Sequence, residues 1–222
     1  MVTSWHDYPA AILGYCEGPL LGWLNQHVRA GETWIDVGAH YGNTALRMCE
    51  RVGRAGRVFA FEPNLASAGC LAQARRLNGL SQLTILPFGL SAGTGISPIK
   101  LPEVRGMVDS TLKPEQAEFF ETILVAPFAE LWPQINSGNA RIDGVKIDVQ
   151  GMELSVLRGL APILNSQRPQ LIVEVHAGVS RSELVALLNE LGYHGKPLPI
   201  EPVAGETEAQ LIDNRIYHFP VA

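Results

Sequence analysis

The chain has 222 residues, of which 46% are hydrophobic and 18% charged, and a formal net charge of −5. That length suits one well-filled core, and with no linker rich in Pro, Gly or Ser the expected organisation is a single domain over residues 1–222. An acidic balance with scattered Lys and Arg argues against nucleic acid and anionic lipid as partners, and apolar stretches broken within about eight residues fall short of the roughly 20 that a membrane span needs.

In chain order, "MVTSWHDYPAAILGYCEG" has no positively charged start, and Asp7 and Glu17 interrupt its apolar piece, so it reads as neither a secretion signal nor a transit peptide. Residues 1–30 are expected to form an arm and helix that can close over a site, with Trp5, His6, Tyr8 and Tyr15 as its aromatic members. Cys16, Cys49 and Cys70 are odd in number and form no C-x-x-C, which disfavours disulfides and points to a reducing cytoplasm. The runs 33–38, 57–63, 83–89, 144–151 and 170–178 are rich in Val, Ile and Phe, are bounded by Gly or Pro, and read as strands. Between them, 43–52, 64–78, 152–165 and 181–191 carry apolar residues at helical spacing. The long connection 91–143 contains two β-like runs, "ISPIKL" and "TILVAP", and is expected to be a hairpin with a short helix that walls an acceptor pocket. Strands buried on both faces and joined by helices imply an α/β, doubly wound, Rossmann-like fold, which binds ligands at the carboxyl ends of its strands.

At the first such end stands "IDVGAHYGNTA". Asp36 closes the strand, Gly38 permits a sharp turn, and Gly42 lets the next helix begin close to the strand or to a ligand. The second strand ends "AFEP", placing Glu62 where a carboxylate accepts hydrogen bonds from both ribose hydroxyls. A dinucleotide fingerprint requires G-x-G-x-x-G, whereas His40 fills the central glycine's place, and no phosphate-cradling G-x-x-x-x-G-K-[ST] occurs. An adenosine ligand without a pyrophosphate, with an amino group and a sulfonium to suit Asp36, is S-adenosyl-L-methionine.

Taken together, "IDVGAHYGNTA", "VFAFEPN", "GVKIDVQGMELSVLRG" and "LIVEVH" resemble the FkbM family of S-adenosylmethionine-dependent methyltransferases. The resemblance implies a class I fold, a mostly parallel seven-stranded sheet with an antiparallel final strand, and methyl transfer to an oxygen of a small or carbohydrate-like acceptor. It places Asp36, Gly38, His40 and Gly42 around the methionine portion, Glu62 on the ribose, and Asn64, Gly89 and Leu90 near the adenine, with Glu17 before the first long helix as a further contact. Gln150 stands where the family commonly has Glu in D-V-E-G.

On the acceptor side, strand alternation puts Lys146, Asp148 and Gln150 on one face, and Glu174 and His176 end the next strand on a common face. Two readings stand for Asp148, Glu174 and His176. One makes His176 or Asp148 the base for an acceptor hydroxyl; in the other the three ligate a divalent metal. Lys146 is expected to neutralise Asp148 or Glu174, and Glu153 to serve the helix macrodipole first. Arg105, Asp109, Ser110 and Thr111 are the expected polar contacts to the acceptor. Two rival functions remain: a non-catalytic adenosine-binding protein, favoured by Gln150, and a NAD-dependent reductase, disfavoured by the missing glycine and the lack of Y-x-x-x-K.

Overall fold

In the computed structural model, which describes residues 17–101, 119–136, 140–193, 196–201 and 211–221, the segment TWIDV forms β1 (Thr33–Val37), and all five of its residues are buried. Adjacent residues point to opposite faces, so Trp34 and Ile35 belong to two separate hydrophobic clusters on either side of the sheet. Parallel partners flank it: β2 (Arg57–Phe61) on one side and β7 (Gly144–Ile147) on the other. Outward from these lie β3 (Leu83–Leu86), beside β2, and β8 (Gln170–Val175), beside β7. The sheet closes with β10 (Arg215–Phe219), antiparallel to β8, and the two-residue β9 (Leu198–Pro199), antiparallel to β10. Its order, β3-β2-β1-β7-β8-β10-β9, is the expected seven-stranded α/β sheet with antiparallel pairing at one end. The order reverses between β1 and β7, and the crevice outside such a reversal is where these sheets take ligands.

Helices cover both faces. α1 (Gly18–His27), α2 (Asn43–Val52) and α3 (Leu65–Leu77) pack on the side of Trp34, Val58 and Ala60. In α2, Ala45, Met48, Cys49 and Val52 recur at helical spacing and are buried, which is why this segment seats on the sheet. α4 (Phe128–Ile135), α5 (Glu153–Gln167) and α6 (Arg181–Glu190) cover the opposite face through Phe128, Leu157, Leu160, Leu184 and Leu188. Caps fix several starts: the side chain of Asn64 accepts the Ser67 N–H at 2.9 Å, and that of Ser180 accepts the Glu183 N–H.

β1 and β2 stop one and two residues short of the runs read from sequence, and three larger differences bear on the site. The run 83–89 breaks at Leu86 because Pro87 has no N–H for the ladder, and Gly89–Leu90 forms β4 of a second sheet. That three-stranded sheet, β4-β6-β5, is completed by the antiparallel pair β5 (Gly95–Leu101) and β6 (Phe119–Ala126) from the long connection. The runs 144–151 and 170–178 stop at Ile147 and Val175, leaving Asp148 and His176 just past the strand ends. Gln150 therefore does not share the strand face of Lys146; it lies in a turn at φ 53°, followed by Gly151 at φ 101°. Among the described residues, no helix is long and apolar enough to cross a membrane.

Candidate active site

The turn after β1 is bound to its neighbours on both sides. Gly38 and Ala39 donate their N–H groups to the Phe61 carbonyl at 2.9 and 3.1 Å, while Asp148 donates its N–H to the Val37 carbonyl at 3.0 Å. Gly38 has φ +76°, and a β-carbon there would lie 1.8 Å from the Asp148 carbonyl oxygen, so only glycine fits. Glu62 leaves the end of β2 with one carboxylate oxygen accepting the His40 N–H at 2.7 Å and the other the Asn64 N–H at 2.8 Å. These donors fix the carboxylate while leaving its outer lone pairs for a ligand. Burial pushes the Glu62 carboxyl up to about 7, against the opposing effect of the two N–H donors.

Beside this turn lies a cavity of about 510 Å³, within the range typical of small-molecule sites. Of the residues expected at the cofactor, Glu17, Gly38, His40, Glu62, Gly89 and Leu90 line it. Asp36, Gly42 and Asn64 do not. Asp36 is fully buried beneath the turn, accepting the Thr44 hydroxyl at 2.6 Å and paired with Lys146 at 3.3 Å. It is held there because register places Asp36 directly opposite Lys146 on the adjacent strand. Gly42, at φ +92°, gives room to Leu71, whose Cδ1 would lie 2.2 Å from an added β-carbon. Asn64 is the cap of α3. Glu17, at the start of α1, accepts a hydrogen bond from the Asn43 side chain, and burial raises its pKa against the opposing charge of Lys146. The hairpin adds Ser97, Pro98, Ile99, Ile123 and Val125 to the opposite wall. Arg105, Asp109, Ser110, Thr111 and the aromatic residues of the N-terminal arm lie outside the described residues.

Acidic groups also gather on the β7–β8 side of the cavity. Asp148 and Glu174 line it, and His176, 4% exposed, lies behind them. The His176 Nε2 is 3.6 Å from Asp148 Oδ1 and 3.5 Å from Glu174 Oε1, so the three residues expected to act together do converge. Glu153 has a closer role than the sequence indicated: wholly buried, it takes His176 Nδ1 on Oε1 at 2.6 Å, and the same oxygen accepts the Gly151 N–H at 3.1 Å. A contact across 23 residues has no local signature, and proximity to a helix start put the macrodipole first and catalysis second. Burial lowers the His176 pKa, but the Glu153 hydrogen bond and the charges of Asp148 and Glu174 outweigh it, and the net shift is upward. Burial also pushes the Glu174 carboxyl up to about 7, reinforced by Asp148 and opposed by His176 and Lys146. Lys146 donates to the Gly38 carbonyl at 3.1 Å and to Asp148 Oδ2 at 3.3 Å. Burial disfavours its charge, yet Asp148, Asp36, Glu17 and Glu174 together hold its pKa above the ordinary lysine value.

Residues 36–194, which span both ends of this cavity, match the family model described as the methyltransferase FkbM domain. The chain belongs to the FkbM methyltransferase family. Within reach of this FkbM domain in sequence is the hexuronic acid methyltransferase AglP of Haloferax volcanii, 31% identical over 159 residues that cover 70% of this chain and 60% of that protein. The methyltransferase sdnD of Sordaria araneosa is 28% identical, with 72% of each chain covered. Among solved structures, methyltransferase FkbM from Methylobacillus flagellatus is similar with a TM-score of 0.55 at 17% identity, over 98% of this chain and 56% of that one. The present chain thus spans less than two thirds of the Haloferax and Methylobacillus proteins. In this FkbM domain the β1 turn, Glu62 and the Asp148–Glu174–His176 group all fall inside the matched segment.

Proposed function

We propose that the protein is an S-adenosylmethionine-dependent O-methyltransferase acting on a hydroxyl of a small or carbohydrate-like acceptor. The observation that carries this reading is a single cavity joining a ribose-type carboxylate, Glu62, to the cluster of Asp148, Glu174 and His176. When bound, the cofactor supplies a methyl group on a positively charged sulfur. Glu62 takes the ribose hydroxyls, Gly89 and Leu90 lie against the adenine, and Glu17 and Asp148 give the lining a negative character that suits a cation. The acceptor enters between the hairpin and the cluster, which orients its hydroxyl and removes the proton. The AglP relative, named for hexuronic acid, supports a carbohydrate-like acceptor.

Isothermal titration with S-adenosylhomocysteine, with NAD as control, tests the cofactor end; binding that excludes NAD is expected, and none would overturn the reading. Radiolabelled methyl transfer to a panel of hydroxylated sugars tests the acceptor end. Tight cofactor binding with no transfer to any of them would favour a non-catalytic binding protein, in keeping with Gln150.

Two further results are expected at Glu62. Glu62→Ala should weaken S-adenosylhomocysteine binding by about 1.5–3 kcal/mol, since hydrogen bonds to a charged acceptor are lost. Unchanged affinity would remove Glu62 from the ribose. In the wild type, the ionised carboxylate is the form that accepts the hydroxyls, and the free protein carries a proton there below about 7. Affinity should therefore be greatest above that pH and fall as pH drops through it, by up to about tenfold per unit, a slope that Glu62→Gln should flatten.

A further inference from the structure

We propose that Asp148, Glu174 and His176 form a site for a divalent cation with the preferences of Mn²⁺ or Mg²⁺, at the acceptor end of the cavity. One potential ligand atom from each residue lies within 4.8 Å of the others. The separations from His176 Nε2, 3.6 Å to Asp148 Oδ1 and 3.5 Å to Glu174 Oε1, are too long for N–H···O hydrogen bonds, which run at about 2.7–3.2 Å. They are close to the edges of a coordination shell, since metal–ligand bonds of about 2.0–2.2 Å set neighbouring ligand atoms roughly 3.0–3.5 Å apart. No hydrogen bond engages Nε2 among the described residues, although His176 is more than nine-tenths buried and its ring is aimed between the two carboxylates.

The surroundings prepare each ligand. In the neutral ring, a hydrogen on Nδ1 given to Glu153 leaves Nε2 with its lone pair, the carboxylate–histidine arrangement that orients metal-binding imidazoles, and a cation would displace any proton held at Nε2. On Asp148 the two oxygens divide their roles: Oδ2 takes Lys146, and Oδ1 faces His176. The Lys146 charge lies close enough to weaken cation binding, so the site is of the exchangeable kind. Two carboxylate oxygens and one imidazole nitrogen form a mostly hard set without thiolate, which suits Mn²⁺ and Mg²⁺. Three protein ligands leave coordination positions open towards the cavity, where an acceptor oxygen can bind. The site deepens the methyltransferase reading by supplying a way to orient and acidify the hydroxyl, and only that use of the cation rests on the reading.

The test is made on the 222-residue chain, stripped with a chelator and dialysed. Mn²⁺ is titrated in, and the free ion is read from its electron paramagnetic resonance signal; S-adenosylhomocysteine titration is run in parallel. One saturable Mn²⁺ site per chain is expected, displaced by excess Mg²⁺. Glu174→Gln and His176→Gln should each weaken Mn²⁺ binding at least tenfold while circular dichroism stays unchanged. Glu153→Gln, acting through His176, should weaken it by about 10- to 100-fold. The absence of saturable Mn²⁺ binding in protein that binds S-adenosylhomocysteine would overturn the cation site and leave the methyltransferase reading standing. So would Mn²⁺ binding unaffected in folded Glu174→Gln and His176→Gln. Saturable Mn²⁺ binding lost in these variants, in protein that does not bind S-adenosylhomocysteine, would support the site and overturn the cofactor reading instead.

Discussion

Gly38→Ala should abolish measurable S-adenosylhomocysteine binding and destabilise the fold. The added methyl would sit 1.8 Å from the Asp148 carbonyl oxygen, a backbone atom held by its own strand connection, so no side-chain rotation relieves the contact. Overpacking and an unfavourable positive φ together amount to about 2–5 kcal/mol, or roughly 10 °C in Tm for a chain of this size. The relief available is separation of β1 from β7, which opens the crevice that holds both ends of the site. Gly69→Ala is the matched control: it lies inside α3 with nothing within 4 Å of a new β-carbon and should stabilise by about 0.5–1 kcal/mol. Thermal melts of the two variants decide the matter; a Gly38→Ala midpoint at the wild-type value would show that the turn is not fixed as described.

Removal of Lys146 should be as damaging for a different reason. Lys146→Met preserves much of the side-chain length and leaves Asp36, which is wholly buried, without its counter-charge. Breaking one partner out of a buried pair costs about 3–5 kcal/mol. Asp148 is partly exposed and can regain water, so the loss is concentrated at Asp36. The double variant Lys146→Met with Asp36→Asn should recover more than half of the deficit in denaturant unfolding. No recovery would mean that Lys146 stabilises through packing alone, and a single variant within about 1 kcal/mol of wild type would remove the buried pair from the account.

The architecture was legible because its signals are local. Runs such as TWIDV and QLIVEV have the length and β-branched content of buried strands, and glycine or proline marks their ends. The convergence of Asp148, Glu174 and His176 could also be anticipated, because neighbouring parallel strands end at one edge. What sequence could not supply was the depth at which each carboxylate sits. Asp36 and Glu62 both follow apolar runs, yet one is sealed under the turn by Thr44 and Lys146 while the other reaches the cavity. Gly42 reads like a ligand glycine but makes room for Leu71, a packing partner from the next helix. The roles of Asn43 against Glu17 and of Glu153 against His176 depend on contacts across 26 and 23 residues, beyond any motif window. Pro87 was visible, but its effect, transferring Gly89 and Leu90 to a second sheet, depended on where β6 runs.

Lys146 also has a thermodynamic consequence. Its ammonium group is bonded at once to the Gly38 carbonyl and to Asp148, which the proposed function puts on the methyl-donor and acceptor sides. On that reading, a ligand that draws on either partner would alter what the lysine offers the other, and the two occupancies would be energetically linked. Because a closed cycle of binding steps must balance, the factor by which donor changes acceptor affinity equals the factor by which acceptor changes donor affinity. In the double variant Lys146→Met with Asp36→Asn, in which most of the stability is restored, donor and acceptor should bind independently, each indifferent to the presence of the other.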